Sequence, residues 1–390
     1  MSNLSRNSFI ESKEQLIDYI ASGSKPKEEW SIGTEHEKFV YCVDSQKPVP
    51  YEGERGIKAI LEALKKEFDW EPIMEDQYII GLQKDGQSVS LEPGGQLELS
   101  GAMVKTLHQT CAESTSHLRQ AQAVSEKLGI KYLGMGFNPN TKRDDVPVMP
   151  KGRYNIMREY MPKMGSLGLD MMLRTSTIQV NLDYSSEIDM VKKFRVSLAL
   201  QPLATAIFAA SPFTEGKPNG FQSYRSHIWT DTDPDRCGIL PFVFEEGMGF
   251  EAYLDHVLNV PMYFVCREGI YHDVSGKSFK DFMKGTLEGF EGQVPTIADW
   301  EDHMSTLFPE VRLKKFLEMR GADGGTWSKI CALPALWVGL LYDNQSLDEA
   351  WHMVKDWKHE DHQYLRTHVP RDALSVPFKN GTVQDFAKKM

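Results

Sequence analysis

Glu35 and Glu37 stand two residues apart in the stretch Trp30-Ser31-Ile32-Gly33-Thr34-Glu35-His36-Glu37-Lys38-Phe39-Val40-Tyr41. Its aromatic and β-branched residues favour a strand. Alternate residues of a strand share a face, so the two carboxylates point the same way, about 7 Å apart. Like charges that close repel unless water or a cation lies between them. Alone, the pair reads equally well as a solvated acidic face.

The same alternation returns three times. In Leu91-Glu92-Pro93-Gly94-Gly95-Gln96-Leu97-Glu98-Leu99, Gln96 and Glu98 oppose Leu97 and Leu99. In Arg174-Thr175-Ser176-Thr177-Ile178-Gln179-Val180-Asn181-Leu182-Asp183, Gln179, Asn181 and Asp183 oppose Ile178, Val180 and Leu182. In Phe316-Leu317-Glu318-Met319-Arg320, Glu318 and Arg320 oppose Leu317 and Met319. Half-apolar strands of this kind belong to antiparallel sheets. Their polar faces carry carboxylates, amides and arginine with few lysines, which suits the lining of a cavity better than a solvated surface.

Glu35, Glu37, Glu98 and Glu318, with Gln179 in support, form an oxygen-only ligand set. Such a set suits Mg²⁺ or Mn²⁺ better than zinc or copper. Magnesium usually bridges to substrate phosphates, so the cavity predicts a nucleotide substrate. Arg320 beside Glu318 can stabilise charge on a transferred phosphoryl group, or serve as a structural ion pair. Gly321 to Gly325 offers a weak chance of backbone N–H groups reaching phosphate. Walker A, GxGxxG, HExxH and GxSxG sequences are absent. His108 and His117 read as surface or core residues of a helix, and Met171-Met172 as core packing.

Helices must position these strands. Periodicity predicts them over Ser12–Ala21, Gly56–Phe68, Thr106–Leu128 (closed by Gly129), from Ser185-Ser186 to about Ala210, Phe250–Val260, Ser278–Lys284, Thr296–Leu307, Ser328–Leu341 and Leu347–Trp357. Pro202 should kink the long central one, which is apolar enough to cover the sheet. Asp85-Gly86 marks a hairpin turn, and Met262 to Asp273 a hairpin turning near Glu268-Gly269. Tyr132–Phe137 reads as a strand and 138–153 as a loop. Arg225, His227 and Trp229 alternate within Ser223–Asp233, which reads as a strand of the core or of a ligand site. With no repeat or linker visible, 1–390 reads as a single α+β catalytic domain.

The 390 residues are 41% hydrophobic and 25% charged, ordinary for a globular protein with a sizeable core. A net charge of −11 argues against nonspecific binding to nucleic acid or anionic membranes. Leu198 to Ala210, interrupted by Gln201 and Pro202, comes nearest to a spanning run and falls short. Met1 to Ile10 lacks a secretory pattern, and the five cysteines are scattered and odd in number. The first points to a cytoplasmic protein and the second away from a secreted disulfide scaffold; a monomer or weak homodimer is expected.

Ile32-Gly33-Thr34-Glu35-His36-Glu37-Lys38-Phe39, Ser88 to Gly101, Leu107 to Glu113, Pro150-Lys151-Gly152-Arg153-Tyr154, Ser226 to Asp233 and Glu318 to Gly325 closely resemble glutamate–cysteine ligase of the plant and proteobacterial type. The likeness runs from about Trp30 onward. It implies the glutamine-synthetase-like ligase fold, a curved and mainly antiparallel sheet with helices outside and ATP, metal and amino acids inside. It implies that ATP phosphorylates the γ-carboxylate of L-glutamate and that the amine of L-cysteine displaces phosphate, the first step of glutathione biosynthesis. By that resemblance, Glu35, Glu37, Glu98, Gln179 and Glu318 are metal ligands, and Arg320 is the transition-state arginine, with Arg320, Glu318 and Glu98 as the catalytic set. Arg225 binds an amino-acid carboxylate, Arg174, Glu92, Asn181 and Trp229 belong to the substrate site, and Lys151, Arg153 and Arg320 face ATP. Cys111 and Cys331 match two positions the family can join as a redox-sensitive disulfide.

The likeness has departures. The second cysteine pair of plant relatives is missing around Val274 and Phe290, so dimer control through it is not expected. Relatives are expected to continue past Met390, and no transit-type extension precedes the catalytic region, which fits a bacterial cytoplasmic enzyme. Two rivals stay open: a same-fold carboxylate–amine ligase taking another amine, and a non-catalytic relative that binds an amino acid or nucleotide.

Overall fold

The computed structural model describes residues 5–390. Its centre is a nine-stranded sheet formed by β1 (Ile32–Cys42), β2 (Glu71–Glu75), β3 (Tyr78–Lys84), β4 (Gln87–Leu91), β5 (Leu97–Ser100), β6 (Ile130–Leu133), β7 (Thr177–Leu182), β8 (Val311–Leu313) and β9 (Leu317–Asp323). The order is β8-β9-β7-β1-β5-β4-β3-β2, with β6 on the outer half of β1, and every pairing is antiparallel. All four polar-alternating stretches are therefore neighbours in one α+β architecture.

The helices are α1 (Lys13–Ala21), α2 (Ile57–Phe68), α3 (Leu107–Leu128), α4 (Gly152–Met164), α5 (Gly168–Arg174), α6 (Glu187–Phe208), α7 (Tyr224–Ile228), α8 (Phe250–Asn259), α9 (Phe279–Met283), α10 (Ile297–Ser305), α11 (Trp327–Leu341), α12 (Asn344–Val354), α13 (His359–Asp372) and α14 (Val383–Ala387). None is long and apolar enough to cross a membrane, among the described residues. The apolar face of β7 and β9 packs on α6, whose own outer side is covered by α12 and α13. That double cover explains why α6 is apolar around most of its circumference. A second apolar cluster joins α2, β3, β4, β5, α4 and α5. Behind β1, Lys38 Nζ lies 3.1 Å from His117 Nε2 on α3, so His117 has a buried core role.

Four local expectations need correction. Ser223–Asp233 is not a strand but α7 followed by a 3-10 turn, Trp229–Asp231. Ser223 caps it by accepting from Ser226 N, and Arg225 and Trp229, four apart, share a face of a helix as they would of a strand. The loop after Asn138 ends at Lys151, where α4 begins, and neither α4 nor α5 was anticipated. The strand expected over Tyr132–Phe137 is instead β6, Ile130–Leu133, and the edge strand β2 lacked a forecast. Gly321 to Asp323 continues β9 rather than turning.

Candidate active site

The polar face of the sheet floors a cavity of about 300 Å³. Glu35 and Glu37 come from β1, Glu98 from β5, Ser90 from β4, Thr177 and Gln179 from β7, Arg312 from β8 and Arg320 from β9. The walls are Glu92 and Gln96 in the β4–β5 turn, Lys151 at the head of α4, Arg153, Tyr154 and Met157 of α4, Met171 and Met172 of α5, Arg225 and Trp229 of the α7 segment, and Phe308.

Strand register sets the acidic floor. Glu37 faces Glu98 across the β1–β5 pair, Glu35 faces Gln179 across β1–β7, and Glu318 faces Asn181 across β9–β7. Gly33 leaves room for Asn181, because a Cβ there would come within 3.1 Å of the Asn181 Cβ. Asn181 Nδ2 can then donate to Glu35 Oε1 at 2.8 Å. Glu37 accepts from Thr177 N at 3.2 Å, and Glu98 accepts from Ser90 and Ser100 hydroxyls at 3.2 and 3.3 Å.

These carboxylates are electrostatically unhappy as a group. Burial, then the charges of Glu318 and Glu98, pushes Glu35 up to about 7. Burial, then the charge of Glu92 and a hydrogen bond to it, pushes Glu98 up to about 7. Glu37 lies well above the usual carboxylate range, from burial first and then Glu92 and Glu98. Crowded buried acids of this kind are stabilised in the ionised form by a cation.

The β8–β9 side is basic. Glu318 is fully buried and held bidentately by Arg312, at 2.5 Å from Nε and 3.0 Å from Nη2. Lys314 Nζ is 3.4 Å and Arg320 Nη1 3.1 Å from it, and those three cations hold Glu318 well below its ordinary pKa. Glu318, expected as a metal ligand, has its oxygens facing three cations, just as Gln179 Oε1 faces Arg320. β9 is irregular between Met319 and Ala322, where Arg320 N donates to Glu310 O and Gly321 N to Gln201 Oε1. Bulges of this kind re-aim side chains, and here Arg320 Nη1 reaches Gln179 Oε1 at 2.6 Å. Gly324 N donates to Ser176 O, so neither glycine N–H is free for a phosphate.

Arg225 Nη2 donates to Arg320 O at 3.0 Å, while its Nε and the Trp229 Nε1 are buried without a partner. Lys151 Nζ donates to Leu91 O at 2.7 Å, and Arg153 Nε is also buried and unpaired. Arg174 does not join the cavity. It is buried in its own network, donating to Asp170 at 2.8 Å and to Thr141 O and Glu215 at 3.1 Å. Met171 and Met172, expected only as core packing, line the cavity as well. Arg312 and Lys314 were missed, although Val311-Arg312-Leu313-Lys314 shows the same alternation as the other strands.

The donor set fits a hard divalent cation: carboxylate and amide oxygens with raised proton affinity. Among the described residues, no three His, Cys, Asp or Glu side chains are arranged as a ready-made metal cage. Magnesium needs none, since it keeps water and uses one or two carboxylates plus substrate phosphate.

Cys111 on α3 and Cys331 on α11 are free thiols on helices that pack together. Burial, then the neighbouring Cys111, pushes Cys331 up to about 12. The thiolate is the reacting form. Either thiolate can start the reaction, so oxidation of the pair is expected to accelerate as pH rises. Intact mass with and without reductant reads it, and a Cys331→Ser chain that responds identically to oxidant removes the pairing.

Residues 31–376 match the family model "Glutamate-cysteine ligase family 2 (GCS2)". The chain is 59% identical over 378 residues to the chloroplastic glutamate–cysteine ligase B of Oryza sativa subsp. japonica, covering 97% of this chain and 76% of that one. It is 58% identical over 376 residues to the Brassica juncea chloroplastic enzyme (96% and 73% covered) and 57% identical over 376 residues to that of Arabidopsis thaliana (96% and 72%). The solved glutamate–cysteine ligase of Francisella tularensis in complex with AMP superposes with a TM-score of 0.51 at 12% identity, covering 92% of this chain and 76% of that one, a likeness of fold. The relatives from rice, mustard and Arabidopsis are chloroplastic by name, which overturns the cytoplasmic placement drawn from the N-terminal composition.

Proposed function

The chain belongs to glutamate–cysteine ligase family 2, and on that premise we infer that it joins the γ-carboxylate of L-glutamate to the amine of L-cysteine at the expense of ATP, the first step of glutathione biosynthesis. The observation that supports this most is one cavity with an acidic rank on β1 and β5 and a basic rank on β8 and β9.

The reaction has two steps. A γ-carboxylate oxygen of glutamate attacks the terminal phosphorus of ATP, releasing ADP and forming γ-glutamyl phosphate. The cysteine amine then attacks the acyl carbon, phosphate leaves, and the amine proton is lost. Glu35, Glu37, Glu98 and Gln179 would hold Mg²⁺, which when bound neutralises nucleotide phosphate charge. Arg320, steered by Glu318 and Gln179, meets negative charge developing on the transferred phosphoryl group. Arg225, with a free Nε, pairs with an amino-acid carboxylate beside Trp229 and Glu92, while Asn181, which does not line the cavity, orients Glu35. Lys151 and Arg153 serve the phosphate side. Met157, Met171, Met172, Trp229 and Phe308 shield an acyl phosphate that water would hydrolyse.

Phosphate release should require ATP, glutamate and cysteine together, with γ-glutamylcysteine as product. Release that persists with a different amine, and not with cysteine, would redirect the assignment within the fold. The raised carboxylates add a pH effect. Below about 7, Mg²⁺ must displace protons from Glu35 and Glu98. Apparent Mg²⁺ affinity should fall from pH 8 to pH 6, by roughly tenfold in total for each proton displaced. A magnesium titration with ATP present at both pH values measures it, and a pH-independent midpoint contradicts it.

A further inference from the structure

The wall that carries Arg225 and Trp229 consists of α7 and one 3-10 turn, too short to hold its shape alone. Two sets of bonds fasten it. Toward the sheet, Asp323 at the end of β9 accepts from the Ser211 and Ser223 hydroxyls, each at 2.7 Å, and Ser211 Oγ accepts from Arg225 N at 3.2 Å. Away from the cavity, α13 takes over. Pro370 O accepts from Gln222 N and Ser223 N, each at 2.9 Å.

Arg366 of α13 makes the last of these contacts. Its Nη2 donates to Trp229 O at 3.0 Å. Its Nε stands 3.9 Å from Glu310 Oε1. Glu310 O is in turn the acceptor for Arg320 N at 3.1 Å. One guanidinium outside the cavity thus hydrogen-bonds the carbonyl behind Trp229, while its Nε, buried without a hydrogen-bond partner, lies at ion-pair range of the residue that fixes the Arg320 bulge. Gly238, at φ +100°, permits the approach, because a Cβ there would lie 2.9 Å from Arg366 Nη2.

We propose that Arg366 is a positioning residue for the amino-acid side of the site, setting the distance between the Arg225–Trp229 wall and the Arg320 strand. The proposal rests on Arg225 as the amino-acid carboxylate binder. The Arg366 charge lies between the Trp229 carbonyl and the Glu310 carboxylate, so an apolar chain of similar length loses both the bond and the attraction and should let the wall drift. A drift of this kind weakens amino-acid binding more than phosphoryl transfer.

The test compares Arg366→Met, Arg366→Lys and Arg225→Met, with KM for glutamate, cysteine and ATP, kcat and melting temperature. Arg366→Met is expected to raise the KM of one amino acid by about tenfold, the scale of one charge-assisted hydrogen bond, with the KM of ATP and kcat nearly unchanged. Arg366→Lys should recover part of that rise, and Arg225→Met should raise the same KM. If Arg225→Met does so and Arg366→Met leaves it at the wild-type value, the positioning role is overturned and the Arg225 reading stands. If Arg225→Met changes no amino-acid KM, that reading fails and the proposal falls with it. Should Arg366→Met not fold, a folded Arg366→Lys with unchanged KM values equally overturns the role.

Discussion

Glu98→Gln is expected to lower γ-glutamylcysteine formation by roughly two to three orders of magnitude with the fold intact, the range seen when one charge-stabilising group is removed from a reaction centre. The substitution keeps shape and one oxygen but deletes a negative charge from the acidic rank. Glu98 is the residue that faces Glu37 directly and shares the charge of Glu92. Its loss should therefore weaken the cation that the rank is arranged to hold. Stability moves the other way. Glu98 in the folded chain is pushed up to about 7 by burial and the charge of Glu92, above the ordinary carboxyl value of 4.5. A carboxyl with a raised folded pKa stabilises the fold fully below the unfolded pKa and loses that contribution as pH rises through the folded value. At pH 8, metal-free wild type thus carries a buried charge that the glutamine variant avoids. Its melting temperature should equal or exceed that of wild type. Activity assays beside thermal melts without metal decide the matter, and full activity in the variant contradicts the metal assignment.

Arg320→Lys should lower kcat by about a thousandfold or more, in the range of other arginines that stabilise phosphoryl transfer. Its Nη1 alone donates to both Gln179 and Glu318, and a lysine lacks the rest of the planar guanidinium that would meet the phosphoryl oxygens. Because the loss falls on charge that develops during transfer, KM for ATP should move far less than kcat. Steady-state kinetics with ATP varied at saturating glutamate and cysteine separates the two. A KM rise that accounts for the whole loss would make Arg320 a nucleotide-binding residue only.

Much of the floor of this cavity was legible before any coordinates. Glu35, Glu37, Glu98, Gln179 and Arg320 announce themselves through period-two alternation, which survives in any antiparallel sheet whatever the strand order. The Arg225 segment was misread because residues two and four apart share a face of a strand while residues four apart share a face of a helix, so Arg225 and Trp229 fit both. Glu318 was placed on the correct strand, but its cationic neighbours were not foreseen. Its acidity suggested a metal, while Arg312, one strand over, took its oxygens. Arg174 illustrates a different limit: its neighbour in sequence, β7, leads to the cavity, but it ends α5 and turns to Asp170. Sequence gives the side of a strand, and partner choice among charges depends on distances that only the assembled fold sets.

The central claim is that the β1 and β5 carboxylates hold a divalent cation on nucleotide phosphate. Its most direct test is calorimetric binding of Mn²⁺ in the presence of a non-hydrolysable ATP analogue, comparing wild type with a chain carrying Glu35→Gln, Glu37→Gln and Glu98→Gln. Saturable binding by wild type and its loss in the folded triple variant is the expected result. Equal Mn²⁺ affinity in both would contradict the claim.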